Sequence, residues 1–303
     1  MRLNAVFVAI VSLAALAGCQ AVMSITDSGA QIGKSLGLVD ADHADAISKS
    51  SKAIAKAAEE FTPEQEYYIG RSVGANILTF YKPYTKDKAL TNYLNSICNA
   101  IAINSSMPEI YNGYHIIALD SDEINAFATS GGHIFVTRGL IAAAKNEDAL
   151  AAVIAHEIAH IQLHHSIGAI DKSRVTEAIW ITSQSALQVA GKKNADLARL
   201  SAVFNESVND IVTTLVRNGY SQSQEFDADA KALELLVLAG YDPNALIEML
   251  EALKISQSKH TGGFNKTHPT PQKRIDNANG KLSAYAKTQD TRKYRLARYK
   301  TVL

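Results

Sequence analysis

Residues 152–165, AVIAHEIAHIQLHH, place two histidines and a glutamate in five positions of an otherwise apolar stretch. From Glu147 to Ile167 the apolar residues recur at helical spacing. That sets His156 and His160 one turn apart on one helix face, with Cβ atoms about 5–6 Å apart. Two imidazole nitrogens so placed can reach one metal ion. Glu157 points about a quarter-turn round the helix, near enough to act on a water at that metal without binding the metal itself, as in the H-E-x-x-H pattern of zinc proteases. The competing reading is a helix whose histidines are satisfied by hydrogen bonds in a core.

A zinc enzyme needs a third protein ligand and an open fourth position. A metzincin would continue with Gly and a third His at set spacings, but Leu163 and Ser166 occupy those positions, which excludes that class. His164 and His165 are local candidates. Helical spacing points His165 to another face and puts His164 a further turn along, so both read as end-of-helix histidines, favoured by the negative end of the helix dipole. The distant segment SQSQEFDADAKALELL offers Glu225 and Asp229, four apart and therefore one turn apart on a helix. One carboxylate can ligate, and the other can hydrogen-bond the outer ring nitrogen of a ligating histidine. Without the upstream histidines the same segment would read as a solvated acidic face.

The elements that must position these groups are mostly helical. Residues 46–60 read as a helix, and a second follows in FTPEQEYYIGRSVGANIL, where Thr62 caps, Pro63 suits the first helical position and Gln65 completes a capping box. Another helix is expected near Leu90–Asn104, with Cys98 on its apolar face beside Leu94 and Ile101. The pattern then changes to YHIIALD and INAFATSGGHIFVTRG, β-branched and aromatic residues broken by Gly131-Gly132, which read as two or three short strands. Helices resume at Leu140, with Asn146 near the start of the His156 helix and with Asp242-Pro243 and Thr270-Pro271 marking later starts. The uncharged stretch 178–191 is too short and too polar to span a bilayer. The expected fold class is α+β, mostly α-helical, with a small β-sheet beside the active-site helix.

The chain has 303 residues, 47% hydrophobic, and its 30 basic and 30 acidic side chains cancel. Such a chain can bury a sizeable core, and its charge balance argues against nucleic acid as a partner. Arg2 and the apolar run Ala5–Ala17 have the form of an export signal, followed by LAGCQ, which resembles the lipobox of bacterial lipoproteins. That resemblance implies a signal peptide over 1–18, lipidation of Cys19 and, with Gln20 after the cysteine, the outer membrane. Residues 19–45 then read as a lipidated tether, 46–285 as the metallopeptidase domain and 286–303 as a basic C-terminal tail, solvated or helical. Cys98 would be the one thiol left in the body, so no intramolecular disulfide is expected.

AHEIAH, SQEFDADAKALELLVLAGYDP and THPTPQKRI occur in the order and spacing of a gluzincin family of metalloendopeptidases. It includes the CAAX prenyl protease, a bacterial heat-shock membrane protease and several periplasmic lipoprotein proteases. NAFATSGGHIFVTRGL resembles that family's strand-and-turn segment, and the resemblance runs over about residues 62–280. It implies a zincin-like fold and one Zn2+ per chain held by His156, His160 and Glu225, with Glu157 as general base and Asp229 behind the ligands. It also implies His268 near the reacting carbonyl, and the strand Asn125, Ala126, Phe127, Ala128 as the edge that receives an extended peptide. Gln222, where many relatives have Arg, and His133, where an aromatic residue is usual, depart from the pattern.

The activity implied is a lipid-anchored zinc metalloendopeptidase on the periplasmic face of the outer membrane, cutting misfolded or stalled envelope proteins. The outer-membrane assembly machinery is a candidate partner. The alternatives are a gated or weakly proteolytic chaperone or assembly factor for outer-membrane proteins, and a zinc-stabilised binding module with four protein ligands.

Overall fold

A capping box opens the first described helix, α1 (Pro63–Phe80): Gln65 N–H donates to Thr62 Oγ1 at 3.3 Å, and Thr62 N–H donates to Gln65 Oε1 at 2.9 Å. The computed structural model describes residues 61–168, 205, 208–257, 267–268, 271–285 and 291–303. The export segment, Cys19, the tether, the helix expected over 46–60, the stretch 178–191 and Thr270 lie outside the described residues. Among the described residues, Thr62 onward belongs to one unit.

Helix α2 (Lys88–Ile103) starts at Asp87, whose carboxylate accepts from Leu90 N–H at 2.9 Å, and buries the face carrying Leu94, Cys98 and Ile101. Three strands follow: β1 (His115–Leu119), β2 (Ala126–Thr129) and β3 (His133–Thr137). They make a sheet in the order β1-β3-β2, with β1 parallel and β2 antiparallel to β3, so β2 is an edge strand. Helix α1 lies against the turn Ser130–Gly132 that joins β2 to β3. Gly70 makes the approach feasible, since a Cβ there would stand 1.6 Å from the Ser130 carbonyl oxygen.

After α3 (Arg138–Ala143), the helix carrying His156 is α4 (Glu147–Gln162), capped by Asn146, which accepts from Ala149 N–H at 2.9 Å. All of its residues are buried. A helix enclosed on every side needs no amphipathic stripe, and α2, β2, α6 (Gln222–Leu238), α7 (Asn244–Gln257) and α9 (Arg292–Val302) surround it. The helix is shorter than its apolar period implies. It stops at Gln162 because His164 adopts a left-handed backbone (φ 53°), and a separate short helix, α5 (His165–Gly168), follows. A helical segment over 208–218 ends in the π-helical turn Thr214–Asn218, and α8 (Pro271–Leu282) starts at the expected proline. Cys98 is fully buried, as its place among Leu94 and Ile101 requires.

The basic C-terminal stretch forms helix α9, which supplies counter-charges to the first turn of α4. Glu147 and Asp148 are both 0% exposed. Asp148 accepts from Arg295 Nε at 3.0 and 3.1 Å and Nη2 at 2.8 Å, and Glu147 accepts from Arg298 Nε at 2.7 Å and Tyr93 Oη at 2.8 Å. Removing one partner of a buried pair leaves a charge with no solvent to hold it. Arg295→Ala is therefore expected to lower unfolding free energy by about 3–5 kcal/mol. Arg292→Ala, whose pair with Glu248 is solvent-exposed, should cost about 0–1 kcal/mol. Denaturant midpoints compare the two, and equal shifts would show that α9 does not hold α4.

Candidate metal centre

Helix α4 presents His156 and His160 to the first turn of α6, whose start is fixed by a second capping box: Ser221 N–H donates to Gln224 Oε1 at 3.1 Å, and Gln224 N–H to Ser221 Oγ at 3.3 Å. This brings Glu225 to the histidines. His156 Nε2 stands 3.0 Å from His160 Nε2 and 3.5 Å from Glu225 Oε2, and His160 Nε2 stands 3.6 Å from Glu225 Oε1. Tetrahedral ligands with bonds of about 2.0–2.1 Å lie about 3.3–3.4 Å from one another. The three donors therefore already have close to the spacing of a filled zinc site. His268 joins them, Nδ1 at 2.7 Å from Glu225 Oε1, and one donor atom from each of the four residues lies within 4.8 Å of the others. Nitrogen and carboxylate donors in this proportion fit a metal of the zinc type.

The residues behind the donors are as ordered as the donors. Asp229 Oδ1 lies 3.0 Å from His156 Nδ1, on the outer side of that ring. The outer nitrogen of His160 meets His165 Nδ1 at 2.8 Å, which corrects the reading of His165 as a bystander on another face. The left-handed His164 reverses the chain and folds His165 back beneath His160, while His164 itself pairs with Glu66 at 2.8 Å. Arg274, 1% exposed, clasps Asp229 with Nε at 2.8 Å and Nη2 at 2.6 Å and reaches Glu225 Oε2 with Nη1 at 3.1 Å. Arg274 lies in the THPTPQKRI motif, where no local spacing ties it to Asp229; only the docking of α8 against α6 reveals its target.

These contacts set the charge states. Burial pushes Glu157 up to about 7. Burial and the Arg274 guanidinium work against charge on His156, but the Asp229 and Glu225 carboxylates push it up to about 9. Burial and the neighbouring His156 hold His160 well below the usual imidazole range, and burial lowers His268. Burial opposes ionisation of Glu225, yet His268 and Arg274 keep it well below the usual carboxylate range; burial opposes ionisation of Asp229 too, and Arg274 outweighs it and lowers that carboxyl.

Beside the donors is a cavity of about 10 Å³, the room of one water. Its walls are Ala126, Phe127 and Ala128 of β2, Glu157, the segment carrying Leu215, Gly219 and Tyr220, and Thr267 with His268. Thr137 N–H donates to Asn125 O at 3.0 Å, so antiparallel alternation turns the backbone groups of Ala126 and Ala128 away from β3, toward this cavity side. The Ala126 N–H is capped by Asn125 Oδ1 at 3.0 Å. Tyr220, a residue the sequence reading passed over, stacks on His160 with ring centroids 4.2 Å apart and planes 17° apart. Burial and the nearby carboxylates of Glu157 and Glu225 keep its hydroxyl protonated, far above the usual phenol range. The two departures from the family pattern sit elsewhere: His133 packs on Tyr67, and the exposed Gln222 accepts from Lys273 at 3.3 Å.

The sequence profile of peptidase family M48 matches residues 88–281. The chain belongs to peptidase family M48. That M48 segment contains all four clustered donors together with Glu157, Asp229 and Arg274, and it stops before α9. Relatives include the beta-barrel assembly-enhancing protease of Escherichia coli (strain K12), 27% identical over 223 residues that make up 72% of this chain and 43% of the relative. The mitochondrial metalloendopeptidase OMA1 of Schizosaccharomyces pombe is 30% identical over 205 residues, 67% of this chain and 54% of that one. Metalloprotease LoiP of Escherichia coli (strain K12) is 26% identical over 293 residues, 94% of this chain and 98% of LoiP. The chain thus spans about half the length of the first two M48 relatives and nearly all of the third.

Proposed function

We propose that this M48 chain is a zinc-dependent metalloendopeptidase acting on misfolded or stalled cell-envelope proteins, with one Zn2+ held by His156, His160 and Glu225. The observation that carries the reading is the convergence of those donors beside Glu157, a buried carboxylate whose Oε1 has no hydrogen-bond partner among the described residues. When bound, zinc lowers the pKa of water and polarises a peptide carbonyl. Glu157 takes the proton of the attacking water and delivers it to the leaving amine. Asp229 and His165 hold the His156 and His160 rings by their outer nitrogens, and Arg274 holds the two carboxylates in place. An extended substrate adds to β2 along Asn125, Ala126, Phe127 and Ala128, its carbonyl replacing the Asn125 side chain on the Ala126 N–H. Zinc content, with cleavage of casein by wild type and by Glu157→Gln, tests this reading.

The N-terminal sequence and the relatives support the following cellular setting. Residues 1–18 direct export, Cys19 carries the lipid, 19–45 tether the chain to the periplasmic face of the bacterial outer membrane, and 46–285 form the peptidase domain, with the basic segment 286–303 supplying α9. Among the described residues no helix is long and apolar enough to cross a membrane. A relative named for enhancing β-barrel assembly supports unfolded or misassembled outer-membrane proteins as substrates and the assembly machinery as a partner.

A gated form of the enzyme is favoured by one observation, the presence of His268 within the donor cluster. A fourth protein ligand would leave no open position for substrate. As an oxyanion donor His268 contributes to turnover, so His268→Ala is expected to retain zinc and lower kcat by about 10²–10³-fold. A rise in kcat for that variant would establish the gated reading and a peptide-holding role.

A further inference from the structure

Tyr220 is fixed more tightly than its position in a loop requires. Its N–H donates to Thr267 O at 3.2 Å, and Gly219 before it has φ 75° and lies so close that a Cβ would stand 2.1 Å from the same Thr267 oxygen. Ser221 after it is the cap of α6. The ring is thus held between the segment that carries His268 and the helix that carries Glu225, with its face on His160. Its residue exposure is only 9%, and its hydroxyl is buried without a hydrogen-bond partner among the described residues. A phenol in that position is unfavourable, because it has lost water and gained no acceptor. Phenylalanine would fill the same space without that penalty.

Tyr220 lines the cavity beside the centre together with Ala126, Phe127 and Ala128 of the outward-facing edge of β2 and with Glu157, whose Oε1 also has no hydrogen-bond partner among the described residues. A peptide lying on that edge brings its carbonyl oxygen into the space where an acceptor is lacking. We propose that Tyr220 is a catalytic residue: its hydroxyl donates a hydrogen bond to the scissile carbonyl oxygen as negative charge develops there. The proton stays on the phenol throughout, and Glu157 alone moves protons. The rigid mounting means that little reorganisation is needed when the charge appears, which is what makes such a donor effective. The role adds to that of His268 and rests on the peptidase reading above.

Tyr220→Phe preserves the stacking on His160 and removes only the hydroxyl. With a quenched-fluorescence peptide and the full zinc-loaded chain, kcat is expected to fall by about 10²-fold with KM little changed. Affinity for a phosphinic peptide, which mimics the tetrahedral oxyanion, should fall in proportion, while affinity for a carboxylate product should stay the same. The metal-free variant should melt no lower than the metal-free wild type, since no protein hydrogen bond is lost. Unchanged kcat and phosphinic affinity, or a lower melting temperature of the metal-free variant, would overturn the assignment. Failure of the peptidase reading looks different: the zinc-loaded wild type itself would neither cut the peptide nor bind the phosphinic compound.

Discussion

Glu157→Gln is expected to reduce peptide-bond hydrolysis by about 10²–10⁴-fold, the contribution of a positioned general base, while zinc content stays at one per chain. The substitution keeps the side-chain volume at a position 1% exposed, in a helix buried on every side, so the fold has no steric reason to change. Glu157 also stands outside the donor cluster: its neighbours His156 and His160 converge with Glu225 and His268, and Glu157 lines the adjoining cavity. An amide there can still hydrogen-bond a water but can no longer take its proton. Metal analysis of the purified variant and initial rates on casein measure the two halves of the prediction. Loss of zinc would move Glu157 among the ligands; undiminished cleavage would remove it from the mechanism.

Glu225→Ala should abolish both metal binding and cleavage, and it should also destabilise the chain. Two imidazoles on one helix are too few ligands for a catalytic zinc site, which takes three from the protein, and the third donor comes from α6. Glu225 is 0% exposed and faces Arg274 at 3.1 Å and His268 at 2.7 Å. Removing it leaves a buried guanidinium with Asp229 as its remaining carboxylate partner among the contacts described above, a loss on the scale of about 3–5 kcal/mol for a broken buried pair. Glu225→Gln separates these effects, because it fills the volume and weakens only the charge. Zinc titration and chemical denaturation of both variants are the measurements. Full zinc retention by the alanine variant would transfer the ligand role to His268, the fourth member of the cluster, or to His165 beneath His160.

Local signals in the sequence determined the parts of this site that lie within one helix or one turn. The four-residue spacing of His156 and His160, the four-residue spacing of Glu225 and Asp229, the Asn146 cap and the Thr62 capping box each concern residues a turn or less apart. Helical geometry places such residues whatever surrounds them. The strands were legible for a similar reason, since β-branched and aromatic runs broken by Gly131-Gly132 have few other stable forms. Family membership was legible because several such segments occur in a fixed order.

The tertiary structure decided what meets across elements. His165 lies beneath His160 only because one residue, His164, turns left-handed, a choice that helical periodicity continuing through Ile167 conceals. Arg274 reaches Asp229 from 45 residues away, and Arg295 reaches Asp148 from 147 residues away. A buried carboxylate must find a counter-charge, but which arginine provides it depends on how α8 and α9 dock. Tyr220 reads in sequence as an ordinary aromatic before a helix cap, because stacking on His160 and the lack of an acceptor for its hydroxyl among the described residues are properties of the packed interior. Helical and strand geometry act over a few residues and are written in the local pattern. The pairing of buried polar groups is settled by the collapse that excludes water from all of them together.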